Sequence, residues 1–520
     1  MTKTYFTSFF RLLIFCCIAT RPAGADVVLS KDQLTSIGAL GWIAPDLEIP
    51  APDQTLPLVS EHDKSAGATL LRRYHAMGRA GGFDGVIYDN RDRGHSPLSK
   101  DQFPQLAHLS YGPDLREAEL DYGLAGRIIL PSIVFGNSST ALTQRPINRS
   151  QARFAMTSTA GPERAYLTYS NNHIYVYPEH RDHDEVDLFP ANWPYMIISQ
   201  GSSHSDKPFM QALGMTLAAL SDETREFLRE KRLIAPTLQM ILRRNQTAMY
   251  RLEQYLSPVA HPTVFERKSL QPERMVAMAA DLTPADIPPM VRLGVEQEDF
   301  SEAAGLAGLS ERLFDTPSAL ARVWRSDAYS RQMVVTADKT QDPNGRPLSF
   351  EWVLLRGDPQ KVRIKPFEDA GQKARIEIDW HDARPIDRMT DRVTDRVDIG
   401  VFASNGVNYS APAFISVSFP GHQSRNYQPI GDDGAMRLVS VDYTNMRKVH
   451  VDPMLHWTAA WTDEFSYDAK GQLSEWRRVM PDETLILQGP GGEGPSRAPV
   501  HKLENVSKKP RLIMENLSNP

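Results

Sequence analysis

Short apolar runs alternate with polar loops over residues 61–235. The runs FDGVIYD, GRIILPSIVFG, RAYLTYS and HIYVYP have the length and the β-branched and aromatic content of strands. The stretch KSAGATLLRRYHAMGRAGG has helical spacing instead and ends at Gly81 and Gly82, which is typical of a helix C-terminus. The pattern predicts a mixed α/β region in which a polar loop follows each strand.

Helical spacing dominates from residue 209 to residue 328. The stretch SDETREFLREKRLIAP begins at Ser221, a favourable N-cap residue, and carries Glu223 and Glu226 in its first turn. In TLQMILRRNQTAMYRLEQYL the apolar residues recur every three or four positions. Between residues 257 and 328, the segments TPADIPPMVRL, SEAAGLAGLSERLF and TPSALARVW predict shorter helices that prolines interrupt.

The hydrophobic period changes to two at about residue 330. Ile399, Val401 and Ala403 alternate with polar or small residues, residues 404–406 form a turn, and Ile415 and Val417 continue the alternation on the returning strand. This pattern predicts a small antiparallel β-sandwich.

Two segments of this region, DPNGRPLSFEW (342–352) and VFASNGVNYSAPAF (401–414), resemble the PKD and immunoglobulin-like modules of exported proteins. The resemblance covers residues 330–420, under a fifth of the chain, and implies an antiparallel β-sandwich that acts as a spacer or a binding module. The chain departs from these modules in the insert DARPIDRMTDRVTDRVD, where Asp-Arg recurs at Asp387, Asp391 and Asp395. The family supplies no catalytic residues.

The predicted fold class is therefore multidomain α+β. It comprises a mixed α/β N-terminal region with a helical segment, a PKD/Ig-like antiparallel β-sandwich and a small C-terminal β region. The predicted division is a signal peptide (1–25), an extended lead-in (26–60), a mixed α/β and helical domain (61–328), the β-sandwich (329–421), a small β region with a hairpin turn at 469–471 (422–488) and a flexible tail (489–520).

The first 25 residues have the order of a secretory signal peptide. Lys3 and Arg11 precede a short apolar stretch, and Ala23-Gly24-Ala25 is the small-residue cleavage site. We therefore expect a secreted or periplasmic protein with no transmembrane anchor after cleavage. The two cysteines, Cys16 and Cys17, lie within this leader, so the mature chain is expected to have neither disulfides nor thiol nucleophiles.

The charge balance argues against a nucleic-acid partner. The chain has 58 basic and 64 acidic residues, a net charge of −6. Removal of the leader takes away Lys3, Arg11 and Arg21 and leaves 55 basic against 64 acidic residues, or −9. Nucleic-acid binding requires a concentrated basic face, which such a composition does not favour.

Polar loops that follow predicted strands hold the candidate catalytic residues. Asp89 and His95 lie in YDNRDRGHSPLS as candidate acid/base groups. Asp89 could instead bind a metal together with Asp92, and the remaining alternative is a surface ion-pair loop. His204 and Asp206 lie in SQGSSHSDKPF beside three serines, which offers a base and an orienting carboxylate for a hydroxyl nucleophile. The alternative for this second segment is a helix cap.

A third loop, YPEHRDHDE, holds the candidate metal ligands Glu179, His180 and His183. The two histidines are three residues apart, so on a helical turn they would share a face. Imidazole and carboxylate ligands suit a divalent metal such as zinc, manganese or iron(II). Three interpretations are open: a solvated or salt-bridged loop, a metal site, and an acid/base dyad.

These features favour two functional hypotheses. The first is an extracytoplasmic hydrolase that acts on a polymer or glycoconjugate, such as a polysaccharide or cell-envelope polymer, with the PKD-like module as a spacer. The second is a non-catalytic surface or periplasmic binding protein. The aromatic residues Tyr175, Tyr177, Trp193 and Tyr195 are either a sugar-stacking platform or part of the core. The sequence does not indicate an oligomeric state.

Overall fold

The structure is a computed structural model. It describes residues 26–123, 128–138, 151–180, 187–306, 308–385, 393–420, 423–443, 461–488, 500–506 and 509–515. The predicted signal peptide, the candidate ligand His183 and most of the Asp-Arg insert lie outside these residues. Within them, no helix has both the length and the apolar character needed to cross a bilayer.

The helices and strands are numbered in chain order. The α-helices are α1 (Ala66–Ala76), α2 (Pro113–Glu117), α3 (Gln151–Thr157), α4 (Gly161–Tyr169), α5 (Lys207–Ala219), α6 (Asp222–Glu230), α7 (Ile234–Arg244), α8 (Leu252–Tyr255) and α9 (Pro272–Asp281). The strands of the first half are β1 (Asp26–Leu29), β2 (Thr35–Ser36), β3 (Trp42–Ile43), β4 (Val86–Asn90), β5 (Ala107–Tyr111), β6 (Ile128–Ile129), β7 (Ile133–Asn137), β8 (His173–Pro178) and β9 (Ile197–Ser199). The remaining strands are β10 (Gly294–Glu298), β11 (Arg312–Thr316), β12 (Ala319–Val323), β13 (Ser330–Thr336), β14 (Ser349–Arg356), β15 (Val362–Phe367), β16 (Lys373–Asp379), β17 (Arg384–Pro385), β18 (Val393–Thr394), β19 (Arg396–Ser404), β20 (Ala413–Ser418), β21 (Ser424–Pro429), β22 (Met436–Asp442), β23 (Thr462–Tyr467), β24 (Leu473–Val479), β25 (Thr484–Gln488), β26 (Val500–Val506) and β27 (Lys509–Glu515).

A six-stranded parallel sheet organises the first half of the chain. Its strand order is β1-β5-β4-β7-β8-β9, and all its pairings are parallel. β4 and β8 are buried on both sides, as expected for the apolar strands of a parallel sheet. From β4 the chain passes to β5 on one side and later to β7 on the other. The strand order therefore reverses between β4 and β7, and open α/β sheets bind ligands at the carboxyl ends of strands at such a point.

Helices pack against this sheet. α5 contacts β7, α4 and α7 contact β8, and α1 and α9 pack on α5. α5 buries most of its length, including Gly214, whose missing side chain accommodates the ring of Phe103. The sheet and these helices share one apolar core.

Two predictions for this half were wrong. RAYLTYS is not a strand but part of α4, because its buried residues Ala165, Thr168 and Tyr169 follow helical spacing and Pro162 stands in the first turn. The lead-in is not merely extended: Asp26–Leu29 forms β1, which pairs with β5 at the sheet edge. A domain boundary at residue 61 would therefore separate β1 from its own sheet.

Two further sheets, mostly antiparallel, follow in the chain. One has the order β10-β13-β16-β15 and the other β11-β12-β20-β19-β14, in which β12 and β20 pair in parallel. Side chains from both sheets form a common buried apolar cluster that includes Val335, Ile376, Trp352, Val401 and Ile415. The C-terminal part of the chain thus contains several sheets, in agreement with the predicted change of period.

The helices predicted between residues 301 and 325 were wrong. SERLFDTPSALARVW forms the antiparallel pair β11 and β12, with Pro317 and Ser318 at its turn. Leucine, alanine and arginine favour helices in isolation, but β12 pairs with β20 inside a sheet, and this tertiary pairing outweighs local propensity. A domain boundary at residue 329 would therefore divide this sheet.

The sheet that contains β19 also packs on the first half of the chain. Phe402, Ala319 and Ala321 belong to the apolar core of the parallel sheet. Beside them, Asp187 pairs with Arg356 and Arg396, and both side chains of the Arg396–Asp398 ion pair are almost completely buried. The two halves are joined by a buried interface.

The last residues form two smaller sheets. β21 to β25 form an antiparallel sheet in chain order, and β26 pairs with β27 as a hairpin. The segment predicted to be a flexible tail therefore contains a hairpin, whose strands pair over seven positions.

Candidate functional site

The candidate site lies at the carboxyl edge of the parallel sheet. Asp89 and Asn90 end β4, Tyr111 ends β5 and Asn137 ends β7. β4 and β7 flank the point at which the strand order reverses. This is the position where open α/β sheets bring ligand-binding residues together.

Asp89 is the centre of a buried hydrogen-bond network. Its Oδ1 accepts a hydrogen bond from the Tyr111 hydroxyl at 2.8 Å, and its Oδ2 accepts one from the Tyr175 hydroxyl at 2.7 Å. Arg91 donates from Nη1 to the Tyr111 oxygen at 3.2 Å and is itself fully buried. Burial raises the pKa of Asp89, and the charge of Arg91 and the two tyrosine hydroxyls only partly oppose this rise.

The strand register explains how this network forms. Asp89 lies opposite Gly136 of β7, and Gly136 lies opposite Tyr175 of β8. The three residues share a row across the sheet, so their side-chain positions are on the same face. Because Gly136 has no side chain, Tyr175 reaches Asp89 across the intervening strand. A Cβ at Gly136 would also come within 1.9 Å of the Asp89 carbonyl oxygen.

A second cluster joins Ser96, His204 and Asp206. The His204 backbone N–H donates to Ser96 Oγ at 2.9 Å, and His204 Nδ1 lies 3.3 Å from the same oxygen. The Ser96 hydroxyl is also close enough to the Asp206 carboxyl group to lower its pKa. Ser96 and Asp206 are buried, whereas His204 is exposed. The cluster therefore connects a buried carboxyl group to an imidazole in contact with solvent.

Asn137 fixes the position of Asp206. Its Nδ2 donates to Asp206 Oδ2 at 3.0 Å and to the His95 carbonyl oxygen at 3.2 Å, while its Oδ1 accepts from the Tyr88 hydroxyl at 3.2 Å. Burial raises the pKa of Asp206, and the hydrogen bonds from Ser96 and Asn137 reduce this effect without reversing it.

Backbone strain is concentrated on the same edge. Among the described residues, eight non-glycine residues have positive φ, and four of them lie on loops that follow β4, β8 and β9. These four are Arg93, Ser96, His180 and His204. The φ angles of Ser96 and His204 are 50° and 76°. Strained backbone of this kind collects at functional sites, where the surrounding structure enforces it.

The predicted catalytic residues therefore divide into two groups. His204 and Asp206 both lie beside Ser96, whereas Asp89 belongs to the hydrogen-bond network of Tyr111 and Tyr175. The His95 side chain is 63% exposed, with Nδ1 3.5 Å from Asp92 Oδ1, and only its backbone carbonyl joins the Asn137 network. Asp206 is the N-cap residue of α5, but its side chain makes no capping hydrogen bond, so the helix-cap interpretation does not account for its carboxyl group.

Two of the three predicted metal ligands, Glu179 and His180, lie within the described residues. Glu179 Oε1 accepts from the Gly201 backbone N–H at 2.6 Å, and the His180 backbone N–H donates to the Gly201 carbonyl oxygen at 3.0 Å. These contacts join the loops after β8 and β9. In the part of the chain that the structure describes, no three histidine, cysteine, aspartate or glutamate side chains are grouped for metal binding. His183, the third predicted ligand, lies outside that part.

The aromatic run is core rather than a stacking platform. Tyr175, Tyr177, Trp193 and Tyr195 are each at most 2% exposed. Trp193 and Tyr195 pack against each other, with ring centroids 5.4 Å apart. The sugar-stacking interpretation of these four residues was wrong.

An open groove of about 580 Å³, which we call the carboxyl-edge groove, is lined in part by the two segments that carry Ser96 and Asp206, although no residue of the second cluster lines it. Ser99 and Asp101 line it from the loop that carries Ser96, and Pro208 and Gln211 line it from the helix that follows Asp206. Gln211 Nε2 donates to Gln102 Oε1 at 2.9 Å within this lining. Its other lining residues are Ser60, Asp63, Ser65, Met215, Arg267, Leu270 and Pro272. The groove is rich in hydroxyl, amide and carboxylate groups.

Sequence reasoning missed Ser96 and Tyr111. Ser96 lies inside the predicted loop, but it becomes notable only when His204 and Asp206, more than a hundred residues later, pack on it. Tyr111 ends a strand whose alternation AHLSY predicts a half-buried pattern. No local signal reveals that its hydroxyl points to Asp89.

The sequence matches no protein-family model and no curated protein. Among solved structures, the chain has weak likenesses to immunoglobulin-like tandem modules. The N-terminal Ig1-2 module of the Drosophila receptor protein tyrosine phosphatase DLAR is 10% identical, with 36% of this chain and 98% of that chain covered and a TM-score of 0.12. The tandem Ig repeats of Dlar are 11% identical, with 38% and 94% covered and a TM-score of 0.12.

A third solved structure is a nucleoside hydrolase-related hypothetical protein from Saccharophagus degradans that is associated with carbohydrate metabolism. It is 11% identical, with 56% of this chain and 72% of that chain covered and a TM-score of 0.18. TM-scores this low do not establish a shared fold, so none of these likenesses bears on function.

Proposed function

We propose that this chain is an extracytoplasmic hydrolase and that Asp206 is its general acid/base. The observation that carries the proposal is the Ser96–His204–Asp206 cluster: a buried carboxyl group with a raised pKa lies beside a hydroxyl that contacts an exposed histidine, at the carboxyl edge of a parallel sheet. A carboxyl group with a raised pKa holds a proton nearer to neutral pH, as a general acid requires.

The roles of the other residues follow from their contacts. Ser96 Oγ lies 3.3 Å from His204 Nδ1 and close enough to Asp206 to lower the pKa of its carboxyl group, so we assign to its hydroxyl the transfer of a proton between the two. Asn137 holds one carboxylate oxygen in place. Asp89 orients the hydroxyls of Tyr111 and Tyr175 and balances the buried charge of Arg91.

The proposed substrate is a polysaccharide or glycoconjugate. The carboxyl-edge groove has the volume of a typical ligand site, and its serine, glutamine and aspartate side chains can exchange hydrogen bonds with sugar hydroxyls. Hydrolysis of a glycosidic bond requires a proton donor to the leaving oxygen. Asp206 is fully buried, so the exposed ring of His204 is the member of the cluster that would deliver this proton to the substrate.

We propose that the sheets β10-β13-β16-β15 and β11-β12-β20-β19-β14 form a PKD/Ig-like β-sandwich, which their shared apolar cluster supports. We also propose that residues 1–25 are a signal peptide and that the protein is secreted or periplasmic, which the order of charged, apolar and small residues supports.

A non-catalytic binding protein is the second candidate. Two observations favour it: both Asp89 oxygens accept hydrogen bonds from tyrosine hydroxyls, and Ser96 is buried where His204 contacts it. Buried hydrogen-bond networks of this kind also make the surrounding residues rigid, as a binding surface requires.

Substitution of Asp206 tests the hydrolase proposal. The full chain is incubated with a panel of neutral and acidic cell-wall polysaccharides, and the release of reducing ends is measured. Asp206→Asn keeps an oxygen that can accept from Asn137 but removes the titratable proton, so kcat is expected to fall by about 10²–10⁴. Asp84→Asn, an exposed acid before the amino end of β4, is the control and is expected to retain the parent rate.

Equal rates for Asp206→Asn and the parent would contradict the assignment of the acid. Saturable binding of a glycan by the parent without any release of reducing ends would favour the binding protein instead.

A further inference from the structure

A second groove, of about 600 Å³, lies apart from the carboxyl-edge groove and shares no lining residue with it. Arg244 ends α7, Tyr250 and Arg251 precede α8, and Arg274 lies in the first turns of α9. We call it the arginine–tyrosine groove after these four residues. Asn408, from the turn between β19 and β20, closes one side.

Two of the three guanidinium groups are held in place. Arg244 Nη1 donates to Asn408 Oδ1 at 2.6 Å. Arg274 donates from Nη1 to the Gln246 carbonyl oxygen at 3.0 Å and from Nη2 to the Met249 carbonyl oxygen. These bonds fix the planes of the two groups before any ligand binds, which lowers the entropy lost on binding.

The positive charge of the groove has no carboxylate partner within the described residues. Arg244, Arg251 and Arg274 form no salt bridge there. Two acids also line the groove. Asp281 pairs with Arg79 at 2.5 Å, whereas Asp286 accepts from the backbone and hydroxyl of Thr283 at 2.9 and 2.7 Å and keeps its charge, so the three arginines outnumber the one carboxylate that has no cationic partner among the described residues. A chain with a net charge of −6 thus presents a local cationic surface.

An exposed aromatic ring adjoins these charges. The Tyr250 side chain is 77% exposed, and the Arg274 guanidinium carbon lies 5.6 Å from its ring centroid. The remaining face of the ring offers an apolar platform with a polar hydroxyl at its end. A ligand that combines a flat apolar face with carboxylates would satisfy both the ring and the arginines.

We propose that the arginine–tyrosine groove binds an acidic polysaccharide through its uronate units. The C–H face of a pyranose ring packs on Tyr250, and the sugar carboxylate pairs with the guanidinium groups of Arg251 and Arg244, which can bind a carboxylate through two parallel hydrogen bonds. The site would hold polymer away from the carboxyl-edge groove, and it does not depend on the assignment of Asp206.

The test measures binding of the full chain to polygalacturonate by isothermal titration calorimetry. Its methyl-esterified form, which keeps the rings and removes the charge, is the matched ligand. We expect esterification, Arg251→Gln and Tyr250→Ala each to weaken binding by about ten- to a hundredfold, since each removes a charge-assisted or stacking contact. Tyr250→Phe keeps the ring and is expected to bind nearly as the parent.

Tyr250 and Arg251 are exposed, so these variants are expected to fold, and the thermal midpoint of each is checked against the parent. Asp206→Asn is expected to bind polygalacturonate as the parent does, which separates this proposal from the catalytic one. Equal binding of the esterified polymer, or unchanged binding by both groove variants, would overturn the proposal. So would tighter groove-dependent binding of single-stranded DNA or of phosphatidylglycerol vesicles.

Discussion

Asp89 is almost completely buried, with 1% of its surface exposed to solvent. Two tyrosine hydroxyls occupy its oxygens and Arg91 lies nearby, yet burial is the largest influence and raises its pKa. The folded protein therefore binds a proton at Asp89 more tightly than the unfolded chain, whose aspartates titrate near 3.9. The pH dependence of the unfolding free energy therefore reports whether folding raises the pKa of Asp89.

We predict that Asp89→Asn removes a pH dependence of stability. Because the folded pKa is raised, the protonated group favours the fold below pH 3.9, and this contribution is lost as pH rises through the folded pKa. The difference in unfolding free energy, parent minus variant, should therefore fall with increasing pH. Urea midpoints between pH 4 and pH 8 measure it, with the exposed Asp101→Asn as the control. A constant difference across this range would show that the pKa is not raised.

Sequence reasoning reached the site only in part at the residue scale. Asp89, His204 and Asp206 stand out because each is polar and closely follows an apolar strand. Ser96 and Asn137 could not be assigned in this way, because their roles depend on hydrogen bonds to residues far along the chain: Asn137 and Asp206 are 69 positions apart. Spacing within a loop does not predict which loops meet.

At the scale of elements, the pairing of β4 with β7 depends on one glycine. Gly136 lies opposite Asp89, where a Cβ would stand 1.9 Å from the Asp89 carbonyl oxygen. A backbone atom cannot swing aside as the end of a side chain can. The close approach of the two strands therefore requires the absence of a side chain at this position.

We predict that Gly136→Ala destabilises the protein by about 3 kcal/mol or more, because the strands must separate or bend to admit the methyl group. Gly294→Ala is the matched control: Gly294 also lies in a strand, but the nearest atom to its added Cβ is Thr336 Cγ2 at 3.6 Å. Chemical denaturation of both variants measures the effect. If Gly136→Ala unfolds at the same midpoint as Gly294→Ala, the close approach is not a constraint on the fold.

The hydrophobic pattern of the sequence also predicts some helices and strands better than others. Strands with unbroken apolar runs, such as β4, β7 and β8, are predicted well because burial on both faces leaves little ambiguity. The two wrong predictions have different causes. The buried positions of α4 suit either a helical or a strand period, whereas the local helix propensity of β11 and β12 opposes their place in a sheet. For β12, only the pairing with β20 decides the conformation, and the sequence does not show that pairing.

At the scale of the whole molecule, the two halves share buried surface. One face of the sheet that contains β19 contributes Phe402 to the core of the parallel sheet. The Asn192 backbone N–H donates to Ser416 Oγ at 2.9 Å, and the Tyr195 hydroxyl lies 2.7 Å from Thr316 Oγ1. The sequence pattern predicts an independent module over residues 330–420. A fragment with those limits would lack β12 and expose this interface, so we do not expect it to fold alone.

Asp187 tests whether this interface makes the two halves unfold together. Its carboxylate is buried and pairs with Arg356 and Arg396, which come from β14 and β19. Asp187→Ala would leave the buried Arg396 and the largely buried Arg356 with Asp398 as their one remaining carboxylate partner among the described residues, a loss that costs about 3–5 kcal/mol in comparable buried pairs.

We predict one thermal transition that includes both halves in the parent and a marked fall of its midpoint in Asp187→Ala. Calorimetry is the measurement, and Glu464→Gln is the control, because it breaks an exposed pair with Arg477 worth less than about 1 kcal/mol. If the parent shows two separate transitions and Asp187→Ala shifts only the lower one, the halves unfold independently. The buried ion pairs would then stabilise one half alone.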